Sequence, residues 1–164
     1  MGQIRRSVVI EAPADEVFGL MTDTRRFGDW IFGFVGLDDG PEKLSDGATF
    51  RWRMKGHGLT LKPRCEIVEF DAPSGYEEEI RIAGVVRGTL SARVVPQKRR
   101  TLLSCAFDYR VVGGPLGVAI DWLVAHRVAE RAVQRSLEGA KRVLETPKAT
   151  ATQRGGYRRQ TAVR

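Results

Sequence analysis

Apolar and polar positions change their period twice along this chain. Residues 4–12 alternate as a strand, and Pro13 then favours a helix start, because a proline lacks an N–H that the first helical turn leaves unbonded anyway. Apolar residues recur at helical spacing up to residue 22. Residues 24–31 predict a second short helix, capped by Asp23 or Thr24. The N-terminal part therefore predicts one strand followed directly by two short helices.

From residue 34 the period is two, which is typical of strands that are buried on one face. Charged or glycine-containing turns divide this region, so it predicts six further strands in an antiparallel meander. The predicted strands cover residues 34–40, 47–58, 59–70, 76–84, 85–95 and 101–112.

A long helix is predicted over residues 116–145, and 30 residues of helix extend about 45 Å. At 100° per residue its apolar side chains form one narrow stripe. The stripe contains Trp122, His126, Ala129, Val133, Leu137, Ala140 and Leu144.

This order of elements has a physical consequence. The apolar face of an antiparallel sheet has to be covered, and a single amphipathic helix can lie across it. Because a curved sheet fits a straight helix imperfectly, we expect a cavity between them, with the two short helices closing one end. The sequence thus predicts an α+β protein whose curved sheet of about seven strands wraps around a long C-terminal helix.

The composition of the chain also indicates its cellular compartment and the distribution of its charge. The 164 residues fit one domain, and no apolar stretch approaches the roughly 20 residues that span a bilayer. With no secretory signal pattern, we expect a cytoplasmic protein with Cys65 and Cys105 as buried free thiols. Of the formal net charge of +7, five charges lie in residues 146–164, which carry no acidic residue. We expect a domain over residues 1–145 and a basic, disordered tail over residues 146–164.

Three segments carry a resemblance to a known superfamily: SVVIEAPADEVFGLMTDTRRFGDW near the start, VEFDAP in the middle, and FDYRVVGGPLGVAIDWLV with LEGAKRVLE at the end. They resemble the START/Bet v 1-like (SRPBCC) superfamily, most nearly its polyketide cyclase/dehydrase-like branch. The resemblance covers roughly residues 3–145. It implies a helix-grip fold and a hydrophobic ligand in the cavity, such as a lipid, sterol, quinone or polyketide. It says little about chemistry, because one fold hosts many functions.

Apolar candidates for the cavity wall come from the inward face of the strands and from the helices. They either fill an ordinary core or line a pocket, and tryptophan suits the second role through its large rigid surface. The expected ligand-binding residues of this kind are Trp30, Phe50, Trp52, Met54, Ile80, Phe107 and Trp122.

Three polar residues are expected on the same inner surface. Tyr109 shares its face with Phe107 and could donate a hydrogen bond to a ligand carbonyl. His126 lies on the apolar stripe of the long helix, where a neutral imidazole could accept or give a proton. Glu78 could serve as a base if burial raises its pKa. Each also has an ordinary structural interpretation: a solvent-facing hydroxyl, a core-edge histidine and a solvated carboxylate.

The leading hypothesis is a protein that binds a small hydrophobic ligand in its cavity, as a carrier or sensor. The alternative is a polyketide cyclase or dehydratase, with His126 and Tyr109 moving the proton. The sequence contains no zinc spacing or catalytic triad pattern, and we predict neither a metal site nor a cofactor. The basic tail could contact nucleic acid or anionic membrane weakly. We expect a monomer or a homodimer.

Overall fold

The computed structural model describes residues 1–56, 58–112 and 118–147, with the backbone alone over residues 118–125. In chain order the elements are β1 (Gly2–Ile10), α1 (Ala14–Thr22), α2 (Phe27–Trp30), β2 (Phe34–Asp39), β3 (Thr49–Gly56), β4 (Leu59–Leu61), β5 (Pro63–Asp71), β6 (Gly75–Ile82), β7 (Val86–Gln97), β8 (Arg100–Val111) and α3 (Val118–Glu145). The predicted α+β helix-grip architecture is confirmed.

The two short helices follow β1 as predicted, although the second is less regular than expected. A single 3₁₀ turn, Thr24–Arg26, precedes the four residues of α2. The Asp23 side chain accepts a hydrogen bond from the backbone N–H of Arg25 and caps this turn, as predicted.

The strand predicted over residues 59–70 consists of two pieces, β4 and β5. Both pair with β3 in one continuous register, as the pairs Met54–Leu61 and Arg51–Arg64 show. The ladder is interrupted just before Pro63, because a proline has no N–H to donate to a neighbouring strand. The sequence pattern missed the break because the alternation of apolar and polar residues continues through it.

The strands form one curved antiparallel sheet in the order β1-β8-β7-β6-β5-β3-β2, with β4 attached to β3. β1 and β2 are therefore the edges of the main path. β2 pairs irregularly with β3, since the register shifts between Phe34 and Gly36 and again between Leu37 and Asp39.

The residues that face the inside of the sheet are those that the alternation of apolar and polar positions in the sequence predicts. In β8, every second residue from Thr101 to Tyr109 is buried. Cys65 and Cys105 both lie on this face as buried free thiols, as predicted.

α3 runs along β1 in the same direction and is tied to it by polar contacts. Glu130 forms an ion pair with Arg6, and the Lys141 ammonium donates to the carbonyl of Val9 at 2.7 Å. Near the helix end, the backbone N–H of Glu11 donates to the Glu145 carboxylate at 2.8 Å.

Burial of the inner face of the sheet differs between its two ends. At the closed end, Leu137 and Ala140 are buried against α1, α2 and the strands, together with Val17, Leu20 and Leu103. At the open end, the side chains of the inner face are only half-buried. They are Trp52, Met54, Ile82, Val86, Leu90 and Val111.

Two sequence predictions fall where the structure gives no description. The basic tail lies outside the described residues from position 148 onward, and the side chain of Trp122 is among those not described. No helix within the described ranges has the length and apolar character that a membrane crossing needs.

The closed end depends on a close approach of α2 to α3 at Gly139. A Cβ atom at this position would press against the backbone carbonyl of Trp30. We expect Gly139→Ala to lower the free energy of unfolding by about 1–3 kcal/mol, although alanine favours a helix. Gly19→Ala in α1 is the matched control, because its new methyl group meets nothing within 4 Å, and it should stabilise by about 0.5–1 kcal/mol. Urea unfolding of both variants measures the difference, and equal effects would contradict it.

Candidate functional site

Aromatic side chains form a connected cluster where α2 meets β2 and β3. The Phe27 ring lies edge-on to Trp30, Phe34 and Phe50, with ring centroids about 6 Å apart. Phe34 in turn stacks on Trp52 at 5.8 Å. Geometries of this kind add to the stability that ring burial gives. The cluster forms one wall of the inner face.

A short series of hydrogen bonds between side chains begins at this wall. The Trp52 indole Nε1–H points to the Cys65 sulfur at 3.4 Å, and Cys65 is also hydrogen-bonded to the side chain of Glu78. Register places Cys65 opposite Phe50 on one side and Ile80 on the other. Trp52, Cys65 and Glu78 therefore link the aromatic wall to the centre of the sheet.

Glu78 is an ionisable group in an apolar setting. Its side chain is 8% exposed, and its cross-strand neighbours are Ile67 and Leu90. No lysine or arginine in the described part of the chain forms an ion pair with it. Burial raises the pKa of Glu78 from 4.5 to about 8. At neutral pH this carboxyl group therefore holds its proton and can donate a hydrogen bond.

A second group of predicted residues assembles on β8 and α3. The rings of Phe107 and Tyr109 stack at 5.2 Å, and Tyr109 stacks on His126 at 6.2 Å. The Tyr109 hydroxyl and His126 Nδ1 share a hydrogen bond of 3.0 Å, in which the donor depends on the imidazole tautomer. Burial raises the pKa of Tyr109. A phenol coupled to an imidazole can pass a proton to or from a bound carbonyl compound.

Glycines on both neighbouring strands make room for the Tyr109 ring. Its cross-strand partners are Gly2 in β1 and Gly88 in β7. A Cβ atom at Gly2 would collide with the Tyr109 ring, and one at Gly88 would lie 2.7 Å from Phe107 and 2.9 Å from the Tyr109 Cβ. Any larger residue at either position would displace these rings.

The group around Glu78 and the group around Tyr109 lie next to each other on the sheet. We call a set of residues that pair directly across neighbouring strands a level. Glu78, Leu90 and Phe107 are successive cross-strand partners, and Ile80, Gly88 and Tyr109 form the next level toward the open end. The structure thus places eight of the ten predicted ligand residues on the inner face or its facing helix, and Trp30 on α2 beside them. These eight are Phe50, Trp52, Met54, Glu78, Ile80, Phe107, Tyr109 and His126. The tenth, Trp122, lies outside the described side chains.

Four residues of this surface were missed by the sequence reasoning. Phe27 and Phe34 complete the aromatic wall, Cys65 links Trp52 to Glu78, and Leu90 separates Glu78 from Phe107. The alternation of β5 and β7 marked Cys65 and Leu90 as inward-facing, so their pattern was available. Nothing in the sequence indicated that Phe27 would turn toward β2 and β3.

Two clefts formed by described residues lie away from this surface. One of about 690 Å³ lies between α1 and the end of α3, near Glu16 and Val143. The other, of about 370 Å³, lies between β1 and α3 beside the Arg6–Glu130 ion pair. In the described ranges, no three His, Cys, Asp or Glu side chains lie close enough together to hold a metal ion.

A curved antiparallel sheet closed by one long helix, with an inner face of aromatic and isolated polar groups, defines a helix-grip protein. The family model described as "Polyketide cyclase / dehydrase and lipid transport" matches residues 1–145, and the chain belongs to this family. The resemblance to the START/Bet v 1-like superfamily is thereby confirmed. A search of curated proteins finds no match to the chain.

Solved structures share the fold at low sequence identity. The Zhui aromatase/cyclase from Streptomyces sp. R1128 is 15% identical with a TM-score of 0.76, over 88% of this chain and 93% of that one. Protein CV1439 from Chromobacterium violaceum is 16% identical with a TM-score of 0.70, over 87% and 96%. Ara h 8.0201 is 11% identical with a TM-score of 0.63, over 87% and 97%.

The raised pKa of Glu78 has a consequence for stability. The folded protein keeps this proton up to about pH 8, whereas the unfolded chain loses it near pH 4.5. Between these values the unfolded state binds fewer protons, so the free energy of unfolding falls as the pH rises. Below this window both states are protonated and the contribution vanishes.

We expect Glu78→Gln to remove this slope. Near pH 4 the variant should match the wild type, and at about pH 9 it should be more stable by on the order of 5 kcal/mol. The exposed Glu66→Gln serves as the control and should follow the wild type at every pH. Thermal unfolding across this range measures the effect, and parallel curves for the wild type and Glu78→Gln would refute it.

Proposed function

We propose that the protein binds a small, mostly apolar molecule between the inner face of the sheet and α3, as a carrier or sensor. The observation that carries this proposal is Glu78, a buried carboxyl group among apolar neighbours with no cation paired to it in the described part of the chain. In a solidly packed core such a group lowers the stability of the fold, because its desolvation is not compensated by an ion pair. A ligand with a polar atom at this depth would give the Glu78 carboxyl group a hydrogen-bond partner in addition to Cys65.

The packing gradient supports the same proposal. Inward side chains at the closed end are fully buried, whereas Met54, Leu90 and Val111 toward the open end are half-buried despite facing inward. A ligand covering these side chains would gain about 25 cal/mol for each Å² of apolar surface removed from water.

The polar groups define the kind of ligand. At neutral pH the protonated Glu78 donates a hydrogen bond, and Tyr109 offers a hydroxyl one level away. Both suit a molecule with carbonyl or hydroxyl oxygens on an apolar skeleton, such as a fatty acid, quinone, sterol-like compound or polyketide. The aromatic wall of Phe34, Phe50 and Trp52 would hold the flat or apolar part.

Filling the space beside Glu78 tests this proposal. We expect Leu90→Trp to fold with little loss of stability, because under this proposal the added volume enters the space meant for the ligand. Leu103→Trp starts from the same residue type at the closed end and should cost about 1–3 kcal/mol through overpacking. Thermal and urea unfolding compare the two, and equal destabilisation would mean that the interior is packed solid.

The same variants test binding directly. Native mass spectrometry of the purified full chain, followed by titration with a fluorescent fatty acid, should detect a bound molecule in the wild type. Binding should weaken at least about tenfold in Leu90→Trp and persist in Leu102→Trp, whose side chain lies on the outer face. Binding that is unchanged by Leu90→Trp would contradict the proposal.

A second candidate function rests on the hydrogen bond between Tyr109 and His126. In this alternative the inner face folds a poly-β-keto chain, and the pair transfers the proton during cyclisation or dehydration. The shared fold with an aromatase/cyclase is compatible with it. Proximity would supply most of the rate, and the proton transfer the remainder.

Tyr109→Phe separates these two functions. It keeps the ring that stacks on Phe107 and removes only the hydroxyl group. An enzyme should lose about 10²–10⁴-fold in turnover of a poly-β-keto thioester while its substrate affinity changes little. A carrier should show no turnover in either protein. Wild-type turnover that survives in Tyr109→Phe would exclude this tyrosine from the chemistry.

A further inference from the structure

The outer face of the sheet carries an arginine at one register level of five adjacent strands. Each of these residues is exposed, and each is the direct cross-strand partner of the next. Neighbouring strands lie about 4.8 Å apart, so the row extends roughly 19 Å. We call it the arginine row, and it consists of Arg51, Arg64, Arg81, Arg87 and Arg110.

The arginine row has no evident use within the fold. Like charges directly opposite each other on a sheet are destabilising. Arg51 forms an ion pair with Asp39 at 3.3 Å, and Arg81 forms one with Glu79 at 3.0 Å. Arg64, Arg87 and Arg110 form no ion pair with any described residue. Three guanidinium groups are therefore available to an external partner.

Most acidic residues near the arginine row lie on one side of it. The neighbouring outward level toward the closed end contains Glu66, Glu79 and Asp108. Of these, Glu79 is paired with Arg81, and Asp108 accepts a hydrogen bond from Gln3 at 2.6 Å. On the other side, toward the open end, the outer face continues into Ala83 and Val112, and the nearby Asp38 is ion-paired with Arg53. An anionic surface can approach from this side without repulsion.

Exposed aliphatic residues project at the same end of the sheet. Val85 in the turn between β6 and β7 is 44% exposed, and Val112 after β8 is 50% exposed. They are neighbours, since the Val112 N–H donates to the Val85 carbonyl at 2.6 Å. Leu59, the first residue of β4 and the cross-strand partner of Gly56 at the end of β3, is 66% exposed. We call these three residues the apolar tips.

We propose that the arginine row and the apolar tips form a surface that docks on an anionic lipid bilayer. Guanidinium groups bind phosphate oxygens in a bidentate manner, and exposed aliphatic side chains enter the headgroup layer. A single-stranded nucleic acid is the less suitable partner, because it relies on aromatic side chains for base stacking and the three tips are aliphatic.

Docking in this orientation would bring the open end of the inner face to the bilayer. The half-buried side chains of Ile82, Val86 and Val111 lie beside the apolar tips along the chain. A lipid-like ligand could then pass between membrane and protein with little exposure to water. The docking surface itself requires no ligand, so it can be tested independently of the proposed function.

Vesicle binding tests the proposal with the full chain. The wild type should sediment with vesicles of phosphatidylcholine mixed with phosphatidylglycerol, and not with vesicles of phosphatidylcholine alone. The variant Arg64→Gln/Arg87→Gln/Arg110→Gln removes the three unpaired charges and keeps most of each side-chain stem. It should bind the anionic vesicles on the order of a hundredfold more weakly, because each basic residue near the surface contributes about 1 kcal/mol, or about fivefold.

Three further variants locate the effect. Lys43→Gln/Arg99→Gln/Arg142→Gln removes the same charge from exposed positions elsewhere and should keep nearly wild-type binding. A full-length variant with Gln at all five basic tail positions, from Lys148 to Arg164, should also keep most of the binding. Leu59→Ser/Val85→Ser should weaken binding while leaving the charge unchanged. Circular dichroism and thermal unfolding confirm that each variant is folded.

Three results would overturn the proposal. The first is equal sedimentation of the wild type with neutral and anionic vesicles. The second is anionic binding that survives loss of the three row arginines, or that disappears with the tail charges instead. The third is tighter binding of a single-stranded oligonucleotide than of the vesicles, with the same dependence on the row arginines.

Discussion

The fit between one long helix and one curved sheet is the constraint on which the rest of this structure depends. α3 reaches close contact at the closed end, where Gly139 lets the helix approach the Trp30 carbonyl and where Leu137 and Ala140 are buried. A sheet that bends away from the helix axis cannot repeat this contact along its whole length. The closed end therefore provides stability, and inward side chains toward the open end are half-buried, which a protein interior normally avoids.

The pairing register of the strands then determines which side chains face the inside of the sheet toward the open end. Because antiparallel neighbours align residue by residue, Glu78, Leu90 and Phe107 come to one level although they are distant in sequence. The adjacent level places Tyr109 between Gly2 and Gly88, whose missing side chains leave room for its ring. The same alternation puts an arginine on the opposite face of each of five strands. The same strand pairings therefore produce both the group of polar residues on the inner face and the arginine row on the outer face.

Much of this arrangement could be predicted from the sequence, because it follows from periodicity. The alternation in β8 identified Phe107 and Tyr109 as inward-facing, and the helical stripe brought His126 to the same surface. Periodicity could not show that Tyr109 and His126 would share a hydrogen bond, since that depends on how far α3 slides along β1. It also could not reveal the arginine row, because cross-strand partners are set by turn lengths. For the same reason the link from Trp52 through Cys65 to Glu78 emerged only with the strand pairing.

The irregular pairing of β2 bears on what this protein does at high concentration. β2 is an edge strand, and such strands offer unpaired backbone groups to other chains. Two register shifts within its six residues put those amide and carbonyl groups out of step with any regular incoming strand. Two molecules meeting at this edge could not extend their sheets into one another, so crowding should not lead to fibril-like stacking through β2.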